Sequence, residues 1–149
     1  MRTLGIDYGT KRLGLSLSDE DGLLASPLDM RLRKSFSQDI SFIRDIIETS
    51  KVGEIVIGKP LNMDGSEGRM TEEVCTFASK LRQAYDIPVL LFDERMTTQE
   101  AQRVLIQANL SRKKRKNLKD SVSAVLILQG YLDSKRSAIR NGKPENTDA

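Results

Sequence analysis

The chain has 149 residues, 38% apolar and 30% charged, enough for one packed core and too few for two full-sized domains. It carries no histidine and a single cysteine, Cys75, which excludes Ser-His-Asp triads, histidine-based nucleases, histidine-ligated zinc and internal disulfides, and leaves acid–base chemistry to carboxylates, Lys, Tyr or a metal-bound water. The 24 basic and 21 acidic residues leave a net charge of +3; with no segment near the roughly 18 apolar residues of a membrane span and no basic-then-apolar leader, a cytoplasmic protein without membrane contact is expected.

"GIDYGTKRLGLSLSD" (residues 5–19) reads as a hairpin. One strand covers residues 3–7 and another residues 13–18, where Leu13, Leu15 and Leu17 alternate with Gly14, Ser16 and Ser18. "SDEDG" is a second turn signal, and residues 23–32 supply a third strand that Pro27 assigns to the sheet edge. Ser35 and Gln38 form a capping box ahead of a helix marked by Ile40, Ile43, Ile46 and Ile47. "VGEIVIGKP" is a short buried strand ended by Gly58 and Pro60, and "LNMDGSEGRM" a polar loop. Met70, Val74, Phe77, Ala78 and Leu81 mark a second helix, and "IPVLLF" a fifth strand that runs into Asp93, Glu94 and Arg95.

Thr97 and Glu100 cap a further helix through Ala101, Val104, Leu105 and Ala108. A basic loop, "SRKKRKNLK", precedes an apolar helix, "SVSAVLILQGYLD", which starts near Asp120 and packs on the sheet. The expected organisation is one domain over residues 1–136 and a polar, disordered tail over 137–149. Three antiparallel strands followed by two reached through right-handed crossovers give an α/β fold, a five-stranded mixed sheet flanked by helices with the first strand central.

Ligands gather at strand ends in such sheets, and that is where the candidate acids fall: Asp7 after the first strand, Asp93 or Glu94 after the fifth, and Asp120 at the start of the last helix. Asp7 shares a face with Thr3 and Gly5. Asp120 shares one with Ser123, Ala124 and Ile127. Each acid also has a simpler reading, as a turn residue, a strand end or a helix cap. Carboxylates brought together repel unless a cation neutralises them, and hard divalent ions held this way stabilise the oxygens of a phosphodiester displacement. Lys11, Arg12, Arg95, Lys113, Lys114 and Arg115 are the candidate contacts to flanking phosphates. Only 5% of residues are aromatic and none is Trp, which favours backbone or shape recognition over base stacking.

Four blocks, "GIDYGTKRLGLSLSD", "IVIGKPLNMDGSEG", "DERMTTQEA" and "KDSVSAVLILQGYLD", are each weak alone. In this order and spacing they resemble the YqgF/RuvX family of Holliday-junction-resolvase-like and pre-16S rRNA-processing nucleases, over nearly the whole chain. The resemblance implies a ribonuclease H-like fold related to the RuvC resolvase. It further implies an acid triad of Asp7, Glu94 and Asp120, with Asp93 an alternative to Glu94, that binds Mg²⁺ or Mn²⁺. The implied activity is metal-dependent phosphodiester hydrolysis in 5′-end maturation of pre-16S rRNA, with resolution of branched DNA as the alternative, by a monomer or homodimer. Two further readings compete. "GIDYGTK" also resembles the first phosphate loop of the sugar-kinase, heat-shock-chaperone and actin superfamily, although this chain supplies only one of the two domains such proteins close on ATP. A non-catalytic RNA-binding module for ribosome assembly would use the basic loop alone.

Overall fold

A computed structural model of the chain describes residues 1–96 and 121–140. Strand β1 (Arg2–Tyr8) pairs antiparallel with β2 (Arg12–Ser18), Leu4 opposite Leu17 and Asp7 opposite Gly14. β3 (Ala25–Leu32) pairs antiparallel with the other side of β2. β4 (Val52–Lys59) lies parallel to β1, and β5 (Val89–Asp93) parallel to β4. The sheet order is β3-β2-β1-β4-β5, so β1 is central as expected and Pro27 sits in an edge strand, where its missing N–H costs least.

Helix α1 (Phe36–Ser50) connects β3 to β4, and α2 (Arg69–Ala84) connects β4 to β5. The Ser35 hydroxyl accepts from the Gln38 N–H at 3.2 Å while the Gln38 side chain accepts from the Ser35 N–H at 3.4 Å, closing the expected box. α1 stops where Lys51 turns left-handed, φ 55°. At the start of α2, Gly68 has no side chain to cap with, and the Thr71 hydroxyl accepts from its N–H at 3.2 Å instead. α3 (Val122–Arg140) is the last helix among the described residues. It runs past residue 136, where the sequence reading ended the domain, and residues 141–149 lie outside the described residues, as does the expected helix opened by Thr97 and Glu100. None of the described helices is long and apolar enough to cross a membrane.

β3 begins at Ala25 and not at Leu23. The Asp19 carboxylate accepts from the N–H groups of Leu23 at 2.7 Å and Leu24 at 3.3 Å, which holds both leucines in the turn.

The two sheet faces differ in kind. Leu4, Ile6, Leu13, Leu15, Ile55, Ile57 and Val89 pack on α1 and α2 through Ile40, Ile43, Val74, Phe77 and Leu81, forming the main core. The opposite face carries α3; it is built of small and polar residues along β1 and β2, while along β4 and β5 Val56, Leu90 and Phe92 form a smaller apolar cluster with Ile127 and Tyr131 of the helix. A Cβ at Gly5 would stand 2.3 Å from Ser16 Oγ and 2.8 Å from Leu128 Cβ, so the helix backbone rides close to the strands there.

Buried polar groups pin α3 in place. Ser16 Oγ donates to the Ala124 carbonyl at 2.8 Å. Ser121 Oγ donates to the Leu28 carbonyl at 2.6 Å and accepts from the Leu15 N–H at 3.3 Å. It bridges β2 and β3 where their register shifts, between Leu13 and Leu15. Gln129 accepts from the Ala25 N–H and donates to the Leu23 carbonyl, each at 2.9 Å. Ser123, expected on the sheet-facing side, is exposed, and Ser121 makes the close approach instead. At the far end of the sheet the buried Glu54 carboxylate accepts from Thr3 Oγ1 at 2.9 Å, Tyr131 Oη at 3.2 Å and Lys135 Nζ at 3.5 Å.

Removing the Ser121 hydroxyl strands two buried backbone groups, so Ser121→Ala is expected to destabilise the fold by about 1–3 kcal/mol, and overpacking in Gly5→Val by about 1–3 kcal/mol or more. The exposed Ser123→Ala is expected to stay within about 0.5 kcal/mol. Urea unfolding of the three variants measures this, and a neutral Ser121→Ala contradicts the bridging role.

Candidate active site

Asp7 is the penultimate residue of β1, on the face that α3 covers. It is half-buried, and burial raises its carboxyl pKa above the ordinary value. Immediately after it the chain reverses through an exposed Lys11 and Arg12.

Glu94 comes from a different strand. β5 ends at Asp93, and Glu94–Met96 form a single 3-10 turn. That turn brings the Glu94 side chain back over β4. A Cβ on Gly58 would lie 2.6 Å from Glu94 Oε1, 2.9 Å from Glu94 Cγ and 2.5 Å from Ile127 Cδ1. The missing side chain of Gly58 is therefore the space that Glu94 occupies. Gly58 follows Ile57, the residue paired with Ile6 in β1, so this space adjoins the end of the strand that carries Asp7.

The two acids feel each other. The Glu94 pKa is raised to about 7, first by burial, then by the charge of Asp7 and then by that of Asp93. Near neutral pH the pair resists carrying two full charges.

Asp93 and Glu94 are neighbours with opposite environments. Asp93 accepts from the Arg95 backbone N–H at 2.9 Å and from its guanidinium at 2.7 Å and 3.1 Å. Arg95 thereby holds the Asp93 pKa below its usual value. The surroundings of the two acids differ: Asp93 is neutralised by a side chain, whereas Glu94 stands over Gly58 and feels the charge of Asp7. The pairing with Asp93 also occupies Arg95, expected as a phosphate contact, whose Nη1 donates as well to the Met63 carbonyl in the loop after β4 at 3.5 Å. Of the other expected site residues, Asp120, Lys113, Lys114 and Arg115 lie outside the described residues.

A pair of hard oxygen ligands with mutual repulsion and no sulfur or imidazole nearby fits a hard divalent cation better than a soft one. Among the described residues no group of three or more potential ligands gathers.

Sequence reasoning placed Gly58 only as a strand terminator. Its signal was a glycine inside an otherwise β-branched run, which marks a close approach. The small face of β2, Gly14-Ser16-Ser18 by alternation, likewise announced a tightly seated partner without naming Ser121 or Gln129 as its pins.

The RuvX family, described as Holliday junction resolvase, matches residues 1–134. A relative from Halothermothrix orenii named "Putative pre-16S rRNA nuclease" is 45% identical over 133 residues, which is 89% of this chain and 95% of the relative. One of the same name from Geobacillus kaustophilus is 47% identical over 138 residues, 91% of this chain and 100% of the relative. Among solved structures, Thermus thermophilus RuvC in complex with Holliday junction substrate is similar with a TM-score of 0.66 at 15% identity, over 93% of this chain and 96% of that one. The fowlpox virus Holliday junction resolvase gives 0.54 at 13% identity, over 90% of this chain and 99% of that one. These two likenesses show the fold, which is the ribonuclease H-like arrangement expected. By its match from residue 1 to residue 134 and its identity to relatives along almost their entire length, the chain belongs to the RuvX family.

Proposed function

We propose that this protein is a metal-dependent endonuclease that hydrolyses phosphodiester bonds in precursor 16S rRNA during 5′-end maturation. The observation that carries the reading is the half-buried pair at the strand ends, with Glu94 over Gly58 and its pKa raised to about 7 by burial and by Asp7. Two raised carboxylates at one point are an unfavourable arrangement for stability alone, and such groups concentrate at functional sites. The names of the full-length relatives supply the substrate.

Asp7, Glu94 and Asp120 are the proposed ligands. A bound Mg²⁺ or Mn²⁺ supplies charge neutralisation at phosphorus and a water of lowered pKa. The remaining work belongs to the chain. Gly58 gives Glu94 its position, and Asp93 with Arg95 fixes the turn that carries it. Asp120 precedes Ser121, whose hydroxyl is tied to β2 and β3. Lys11, Arg12, Lys113, Lys114 and Arg115 hold the flanking phosphates. The nuclease domain covers residues 1–136, and the site of action is the cytoplasm. The family description favours a second reading, cleavage of branched DNA, in which a homodimer would provide two such sites.

End-labelled precursor 16S rRNA and a four-way DNA junction, each with Mg²⁺, Mn²⁺ or chelator, test the reading. Cleavage is expected to need the metal and to fall at least roughly a hundredfold in Asp7→Asn and in Glu94→Gln. The preferred substrate decides between the two readings, and undiminished cleavage by both variants overturns the acid assignment.

Neutralising Lys113, Lys114 and Arg115 together is expected to weaken RNA binding at low salt and to flatten its salt dependence by roughly one unit of slope for each phosphate no longer neutralised. An unchanged slope removes those residues from the interface.

The pH dependence of the metal-free protein follows from the direction of the Glu94 shift. Its folded pKa of about 7 lies above the ordinary 4.5, so the folded state binds the proton more tightly than the unfolded chain. This contribution is full below the ordinary value and is lost as pH rises through about 7. In chelator, Glu94→Gln is therefore expected to equal wild type near pH 4 and to unfold at a higher temperature near pH 8, with added Mg²⁺ narrowing the difference.

A further inference from the structure

The strand ends on the two sides of the candidate acids differ in charge. On the side of β4 and β5, Lys59 is ion-paired with Glu67 at 3.5 Å and Arg95 with Asp93 at 2.7 Å, and Asp64 and Glu94 add two further acids. On the side of β2 and β3, the β1–β2 turn meets the β3–α1 connection. Residues 9–12 and 31–38 together hold Lys11, Arg12, Arg31, Arg33 and Lys34, and no acid.

Arg33 joins the two segments. Its backbone N–H donates to the Lys11 carbonyl at 2.9 Å, and its Nη1 donates to the Gly9 carbonyl at 3.3 Å and to Tyr8 Oη at 2.8 Å. The guanidinium lies over the rings of Tyr8 and Phe77, 4.7 Å and 5.6 Å from their centroids, and Phe77 meets Phe36 at 5.9 Å. Behind them stands Asp39, fully buried in the first turn of α1. It accepts from Arg31 at 3.3 Å, from Arg33 at 3.4 Å and from the Lys34 N–H at 3.1 Å. One carboxylate between two guanidinium groups leaves positive charge in excess.

Lys11 and Lys34 are exposed, and among the described residues neither ammonium group has an ion pair or a hydrogen bond. Of the acids on neighbouring elements, Asp29 stands on β3, and Glu72 and Glu73 stand on α2 in one cavity wall with Arg33 and Lys80. Counted with Asp39, these four acids face six cations, so the surface stays positive. Arg12 lies on the sheet face of Asp7, since it alternates with Gly14, the partner of Asp7 across β1 and β2. The positive charge therefore begins beside the candidate acid and continues through Lys11 to Lys34.

We infer that the β1–β2 turn and the β3–α1 connection form one surface for the sugar–phosphate backbone of the substrate RNA, on which Lys11 and Lys34 each neutralise a phosphate. The inference rests on the reading of the chain as an RNA nuclease and deepens it by giving the bound strand a direction. From the acids the strand runs over the turn towards β3 and the start of α1, away from the acidic side at β5. Solvated ammonium groups suit this task, because a phosphate replaces their water and releases the counterions of the strand. Contacts of this kind position a backbone and carry no base preference. Arg31 and Arg33 contribute field and hold the two segments together, their own hydrogen bonds being committed to Asp39 and the turn.

Binding of a short single-stranded RNA from the precursor, measured in chelator over a range of salt, tests the surface without cleavage. Lys11→Gln and Lys34→Gln are each expected to weaken binding at low salt roughly threefold to tenfold and to lower the slope of log affinity against log salt by about 0.7. The double variant is expected to lose about twice as much slope. Both side chains are exposed, so unfolding temperatures are expected to hold. Lys34→Arg keeps the charge and is expected to keep the wild-type slope. Lys51→Asn removes a charge at the opposite end of α1, where asparagine tolerates the left-handed backbone, and is expected to keep it as well. An unchanged slope in Lys34→Gln, or an equal loss in Lys51→Asn, overturns the surface. A four-way DNA junction separates the two polyanions: a loss of RNA binding at least as large as that of the junction supports an RNA strand, and a loss confined to the junction overturns that source. Adding Lys34→Gln to Asp7→Asn is expected to lower the slope by the same amount, so failure of the acid assignment leaves this result standing, and an unchanged slope leaves the acids untouched.

Discussion

Between Gly5 and Leu128 there is no room for a methyl group, and much of the molecule follows from that closeness. Over β1 and β2 a helix seated so near the sheet cannot rest on large aliphatic side chains of the strands. The strand surface there is glycine and serine, and the backbone and hydroxyl groups enclosed must pair, whereas over β4 and β5 Ile127 and Tyr131 pack on Val56, Leu90 and Phe92. Ser16, Ser121 and Gln129 meet that demand with bonds to main-chain atoms, which fixes both the height of α3 above the strands and its position along its own axis. A greasier interface would bury more area and would leave the helix freer to slide.

The sheet thus separates two tasks. The face under α1 and α2 holds the larger of the two apolar clusters and supplies most of the hydrophobic free energy. The other face gives up side-chain volume, and the space released at Gly58 is where a carboxylate from β5 stands near one from β1. Asp93 and Glu94 show how finely this divides chemistry. Adjacent in sequence, one is pulled down by Arg95 and the other pushed up by burial and a like charge. A single turn at the strand end is enough to place neighbouring acids in different electrostatic surroundings.

The strand alternation of Leu13, Leu15 and Leu17, the Ser35 and Gln38 box and the isoleucine spacing of α1 made most of the fold legible in the sequence, because each signal is local. Pro27 gave the edge for the same reason. What could not be read depended on contacts distant along the chain. Leu23 and Leu24 look like strand residues, but Asp19 claims their N–H groups. The different surroundings of Asp93 and Glu94 depend on the direction of a turn and the placement of Arg95, and no periodicity encodes either. Ser123 and Ser121 stand two residues apart at the start of one helix, and which of them reaches the sheet depends on the register of α3 against the gap between β2 and β3. Aromatic content, an average over the chain, hid the convergence of Tyr8, Phe36 and Phe77.

The buried Glu54 carboxylate, far from the candidate acids, bears on how the site can move. Through Tyr131 and Lys135 it moors the second half of α3 to the start of β1 and β4, while Ser121 and Ser16 moor the first half to β2 and β3. Tied along its length, the helix behaves as a strut. Its axial sliding and its tilting both require rupture of buried polar contacts, so adjustment to a bound strand falls to the β1–β2 turn, and the first turn of α3 is the stationary reference against which it moves.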